Sequence, residues 1–175
     1  MTAVADLVAD LRRPWRQGEH LDARGIVLDD ALVLDGLDVR GFDLTGAQLR
    51  GGLSARGTRF HGLAWLRGAT VFGDCDLSGA HFSTDFRGDD LTAQTVAMAS
   101  CTLQGVLSLA GARLNSLSLR NALVMANMTL ERAVVQETVD LTGAEILGGF
   151  WTAHARLGSL KLRDAEISGR IRLPG

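Results

Sequence analysis

The sequence predicts an all-β solenoid: a four-sided β-helix of about seven coils, entered through one short N-terminal α-helix. Three observations predict it. From about residue 26 to 173, a small or apolar residue followed two places later by an apolar one recurs every five or six residues. The beat falls into groups of four, giving a longer period of 21 or 22. Composition agrees: 21 glycines, 2 prolines and no tyrosine suit many short elements joined by tight turns around a core of Leu, Val and Ala.

The first element is the helix. In "TAVADLVADLRRPW", Val4, Leu7, Val8 and Leu11 follow helical spacing. Thr2 is placed to cap its start, Arg12 and Arg13 suit its last turn, and Pro14 ends it. The helix is expected to cover the open edge of the first coil, with Trp15 packed beneath. A docking helix for a partner is the rival reading. A membrane-surface helix fits less well, because the polar face is not richly basic. The division expected is residues 1–20 for helix and cap, and 21–175 for the β-helix.

A five-residue beat is neither the helical period nor simple strand alternation. It fits very short strands, each followed by a corner, with the first and third residues inward and the second outward. Taking the third position as the centre, the first file along the rod is Leu28, Leu49, Val71, Ala93, Leu114, Val135 and Leu157. Another is Val39, Phe60, Phe82, Leu103, Val124, Ile146 and Ile167. The other two files start at Val33 and Leu44, the latter passing through Trp65. Residues 84–95 blur the beat and read as a bulge or short loop.

The columns carry a size code. Inward residues at the start of segments run Ile26, Ala47, Ala69, Leu91, Ala112, Ala133, Ala155 in one column and Leu37, Thr58, Ala80, Cys101, Ala122, Ala144, Ala165 in another. The remaining two columns tend to be bulkier, with Ala31, Leu53, Cys75, Val96, Leu117, Val139 and Leu160 in one and Leu107, Met128, Phe150 and Ile171 in the other. Small side chains on two facing walls leave room for Leu, Val and Phe to fill the cross-section. In the last four groups the extra residue always falls between the third and fourth centres. Seven coils at the roughly 4.8 Å strand spacing give a rod about 34 Å long.

Segments such as "GAQLRG", "GAHFST", "GARLNS" and "GAEILG", with the intervening "FDLTG" and "CDLSG", resemble the pentapeptide-repeat family over about 26–173. That resemblance implies a right-handed quadrilateral β-helix; periodicity alone leaves handedness open. The sequence departs from the family pattern in its few Asp or Asn residues at the second position and in how rarely Phe is the centre. Some members imitate duplex DNA and bind DNA gyrase or topoisomerase IV, protecting it from inhibitors. The resemblance therefore makes a type II topoisomerase one candidate partner.

Charge restricts the partners. Formal net charge is −2, with −4 in residues 1–100 and +2 in 101–175, so direct nucleic-acid binding is not indicated. Acidic residues crowd the first coil (Asp29, Asp30, Asp35, Asp38, Asp43) and the third with its exit (Asp74, Asp76, Asp85, Asp89, Asp90), forming the candidate acidic interaction surface. A DNA mimic needs such charges stacked along one wall. Here Arg50, Arg56, Arg59 and Arg67 interrupt them, so individually solvated faces are the simpler reading.

No catalytic constellation is visible. His20, His61, His81 and His154 read as surface residues, with His61 and His81 on one wall, and no metal or cofactor motif accompanies them. "GGLSARG" lacks the strand–loop–helix setting of a phosphate loop. Cys75 and Cys101 form no CxxC pair and read as buried reduced thiols of a cytoplasmic protein. No run reaches membrane-spanning length and no signal peptide is visible. The sequence stops at "IRLPG" just after Leu173 with no second cap, which invites self-association through the last coil; a piece of a longer repeat array, or an edge left bare, is the alternative reading. The functional expectation is a non-catalytic rod for protein interaction or self-association, with topoisomerase protection as the alternative.

Overall fold

Two-residue strands separated by corners cannot complete a sheet within one turn of chain, so each strand pairs with its counterpart one coil later. The computed structural model describes residues 3–174, and every strand pairing in it is parallel. Thr2 lies outside the described residues. Four walls result. The first stacks Leu28, Leu49 and Val71, then crosses single bridges at Thr92 to Leu114, Val135 and Leu157. The second runs from Leu32–Val33 to Leu160 and Lys161. On the third, Phe60, Phe82, Leu103, Val124, Ile146 and Ile167 stack in register. The fourth is an eight-stranded ladder from Leu21–Asp22 to Ile171–Arg172.

The two pairs of corners differ, and the difference explains the size code. After the second and fourth walls the chain makes a β-turn closed by a backbone bond, as in Ala47 N–H to Leu44 O at 3.0 Å and Ala122 N–H to Leu119 O at 3.0 Å. The third turn residue has positive φ: Gly25, Gly46, Gly68, Asp90, Gly111, Arg132 and His154 at one corner, Gly36, Gly57, Gly79, Ser100, Asn121, Gly143 and Asp164 at the other. Glycine takes that conformation without a steric penalty, which is why "TGA" and "SGA" recur. The residue that follows enters the core immediately after the turn. It is the small one, Ala47, Ala69, Ala112 or Ala133, each fully buried.

The interior is filled throughout. Among its largest buried side chains, Phe42 meets Phe60 edge-on at 5.4 Å, Phe60 stacks on Phe82 at 4.9 Å and 2°, and Phe82 meets Phe86 edge-on at 5.5 Å. Such pairs each add about 0.5–1.5 kcal/mol beyond burial. Thr58 replaces an alanine in its column and is tolerated because its hydroxyl donates to Leu34 O at 2.7 Å.

Three sequence expectations shift. The centres on the second and fourth walls are Leu34 and Leu66, both fully buried, whereas Val33 is 50% exposed and Trp65 points outward. A one-residue slip reverses the facing of a strand, and adjacent apolar residues conceal the slip. The stretch 84–95 is not a break. Phe86 and Gly88 fill the two inward positions, followed by Leu91, Ala93, Val96 and Met98. Gly88 replaces a large centre because a Cβ there would lie 2.8 Å from Leu109 Cδ2 and 3.1 Å from the Phe86 ring. Finally, Trp15 does not pack beneath the first coil. It lies against Gly62 at the side and is 43% exposed.

The helix spans Ala3–Leu11 and does cover the first coil, with Leu7 and Leu11 buried and Val4 and Val8 packed beside them. Its exit is clamped. Arg40 N–H donates to Leu11 O at 3.0 Å, and the largely buried Arg40 guanidinium reaches Asp10 at 2.8 Å and Glu19 at 3.8 Å.

The corner between the first and second walls varies in length. Three residues lie between the consecutive inward positions Leu28 and Leu32, Leu49 and Leu53, Val71 and Cys75, and Val135 and Val139. Only two lie between Ala93 and Val96, Leu114 and Leu117, and Leu157 and Leu160. The register shift between Val135 and Thr138 marks where a long corner meets a short one.

Gly88→Leu should overpack the core and cost about 1–3 kcal/mol in denaturant unfolding. Phe86→Ala alone should cost about 3–5 kcal/mol. Combining them should cost clearly less than the two added together, because the new leucine occupies the space the ring vacates.

Candidate functional site

Solid packing moves any function to the outer walls, the corners and the ends. The ten aspartates of the acid-rich coils do not form one surface. Asp43 and Asp76 accept the backbone N–H of the residue two places on, Thr45 and Ser78, each at 3.0 Å. Asp22 and Asp140 do the same for Arg24 and Thr142. This is the local carboxylate turn that precedes each tight corner, and it gives the "DLTG" pattern a structural cause. Asp35 and Asp85 act between coils. Asp35 accepts Arg56 N–H at 2.9 Å and Ser54 Oγ–H at 2.6 Å, and Asp85 accepts Val106 N–H at 2.7 Å.

The others are scattered. Asp29 pairs with Arg50 at 2.8 Å, and Asp38 lies 4.0 Å from His61 on another wall. Asp90 holds a positive-φ corner, and Asp89 has a buried Oδ1 with no partner among the described residues. Asp30 and Asp74 are exposed. The file through Asp29 continues Arg50, Phe72, Gln94, Asn115 and Gln136, so its acidity ends after one coil.

Protonation follows these bonds. Hydrogen bonding from Ser54 and from Arg56 holds the Asp35 carboxyl below the usual range. For Asp140, partial burial pushes upward but is outweighed by bonds from Thr142 and Arg120. The Arg24 side chain draws exposed Asp22 down to about 2. Burial pushes the free thiols of Cys75 and Cys101 up to about 12, so neither is a ready nucleophile or metal ligand.

His61 and His81 do not share a file: His81 is in register with Arg59, and His61 follows Phe60 at the corner. His154 holds a left-handed corner, and His20 is half-buried before the first coil. Among the described residues no three His, Cys, Asp or Glu side chains converge to hold a metal ion. No helix among them is long and apolar enough to cross a membrane.

Two surfaces remain. One is the last coil. Leu162, Ile171 and Leu173 are 37%, 51% and 52% exposed, while Leu141, Phe150 and Thr152 one coil earlier are fully buried. Within the described residues, the core cross-section is uncovered there. The other surface is an open groove of about 850 Å³ along the corner of variable length, running from Thr70 to Arg156. Sequence reading missed it; the available signal was the change in corner length, which the misplaced second-wall centre obscured.

A parallel, four-walled solenoid built from five-residue segments around a filled core defines the class. Residues 34–81 match a family model described as pentapeptide repeats, in 9 copies, and the same coil continues on both sides of that segment. No curated protein matches it. A similar solved structure is HetL, a pentapeptide repeat protein involved in heterocyst differentiation regulation from the cyanobacterium Nostoc sp. strain PCC 7120. It is 17% identical, covers 95% of each chain and has a TM-score of 0.22.

Two measurements check this chemistry. Asp35 and Asp140 titrate lower in the folded chain, so their stabilisation is present above the ordinary carboxylate value of 3.8 and is lost as pH falls through their folded values. Melting temperature should hold down to about pH 4 and then fall, less steeply in Asp35→Asn. In a second assay, a thiol reagent at pH 8 should leave Cys75 and Cys101 unmodified in the native protein and label both after unfolding.

Proposed function

We propose that the protein is a non-catalytic interaction rod that self-associates through its last coil. The observation that carries this reading is the exposure of Leu162, Ile171 and Leu173 at positions that are buried one coil earlier. A second last coil placed against them buries apolar surface at about 25 cal/mol per Å² and satisfies strand edges on both copies. Pairing the same patch on two copies gives a closed dimer. The absence of catalysis is supported by the filled core, the inert thiols and the scattered histidines. The free buried thiols fit a reducing, cytoplasmic setting.

Topoisomerase protection is the second reading, supported by the acid-rich early coils. It is less favoured because most of their carboxylates close turns or tie coils together, leaving Asp30, Asp74 and Asp90 exposed without an ion pair among the described residues of these coils. Gyrase supercoiling assays with a quinolone should show no protection; protection would establish this second reading.

Sedimentation velocity should show a dimer that becomes a monomer in the double variant Ile171→Arg, Leu173→Arg. A monomer for the unmodified chain at all concentrations would remove the self-association reading.

A further inference from the structure

We propose that the groove along the first-to-second-wall corner binds an extended acidic peptide segment of a partner protein. The proposal deepens the interaction-rod reading and rests on it, but uses a different surface from the last coil.

The groove exists because of a chain-length difference. The short corners at Gln94 and Asn115 lie between two long ones, Phe72–Gly73 and Gln136–Glu137, so the middle coils are recessed. Nearby hydrogen bonding remains regular: Asn115 N–H and Ser116 N–H both donate to Gln94 O, and Glu137 N–H donates to Asn115 O. The recess is therefore part of the fold. Its lining extends over five coils, about 20 Å at the strand spacing, which is the length of about six extended residues.

Three features of the lining specify the occupant. Its charged residues are Arg113 and Arg156, both exposed, and no carboxylate lines the groove. The two stand on the same file, two coils apart, with Val134 between them, so their Cα atoms are roughly 10 Å apart. Among the described residues neither makes an ion pair, whereas Arg24, Arg50, Arg56, Arg87 and Arg120 all have aspartate partners. Charge complementarity thus selects an anionic occupant.

The second feature is the amide file Gln94, Asn115, Gln136, one per coil along the floor. Each amide offers both a donor and an acceptor, matching the alternating N–H and C=O of a peptide main chain. The third is Phe72, 54% exposed at one end of the recess, where it offers an aromatic face to an apolar side chain. A peptide uses all three features; a simple polyanion uses only the arginines.

The test is fluorescence anisotropy with a labelled peptide of alternating Glu and Ser ending in Leu, and its Lys-for-Glu counterpart as control. The Glu peptide should bind, and more weakly as salt rises, while the Lys peptide should not. Arg113→Glu with Arg156→Glu should weaken binding about tenfold or more, Phe72→Ala should weaken it without changing the salt dependence, and Arg59→Glu on the opposite wall should change nothing. Circular dichroism verifies folding, and Arg113→Gln with Arg156→Gln supplies a milder form of the same test. Equal binding by the reversed-charge variant, no binding of the Glu peptide, or preferential binding of a heparin oligosaccharide would each overturn the proposal. Sedimentation of the same samples separates this outcome from the self-association reading: a monomer that binds the peptide keeps the groove and loses the dimer.

Discussion

The structure depends on one constraint: every strand must hydrogen-bond to its equivalent one coil away, in register and in the same direction. A two-residue strand has too few bonds to hold itself, so its stability lies in the stack. Register then forces side chains into vertical files, and each file must work as a packing column. Leu114, Val135 and Leu157 stand over one another for this reason, as do Phe60, Phe82 and Leu103. Buried alanines at the tight turns and large residues at the looser corners follow from filling one cross-section repeatedly.

The sequence carried the architecture because the constraint is periodic. Coil number, wall number, the alternation of small and large walls and the helix over the first coil could all be read from it. Errors arose where one residue obscured the phase. Val33 beside Leu34 and Trp65 beside Leu66 offer two apolar candidates for one inward position, and only three-dimensional packing selects between them. At Gly88 the inward position holds no side chain, because Phe86 and Leu109 already occupy the space. That missing side chain looked like a break in the pattern although the coil continues unbroken.

The acidic residues show why surface roles are harder to read than core roles. Counting carboxylates along the chain suggests an electronegative surface. In three dimensions Asp43, Asp76 and Asp140 bind backbone N–H groups next to their own corners, while Asp35 and Asp85 bind the next coil. These are local requirements of turn geometry, and a short polar side chain serves them whether or not any partner exists. The candidate binding groove has the opposite character: no residue type in it is unusual, and its identity comes from two short corners between two long ones.

That variable corner has a consequence of its own. Two or three residues fit between the inward positions of the first and second walls without disturbing the files on either side, so this edge of the rod absorbs changes in chain length as an expansion joint does. Segments added there would project outward while the stack above and below keeps its alignment. This edge offers a natural graft site, where new recognition loops can be installed on an otherwise unyielding scaffold.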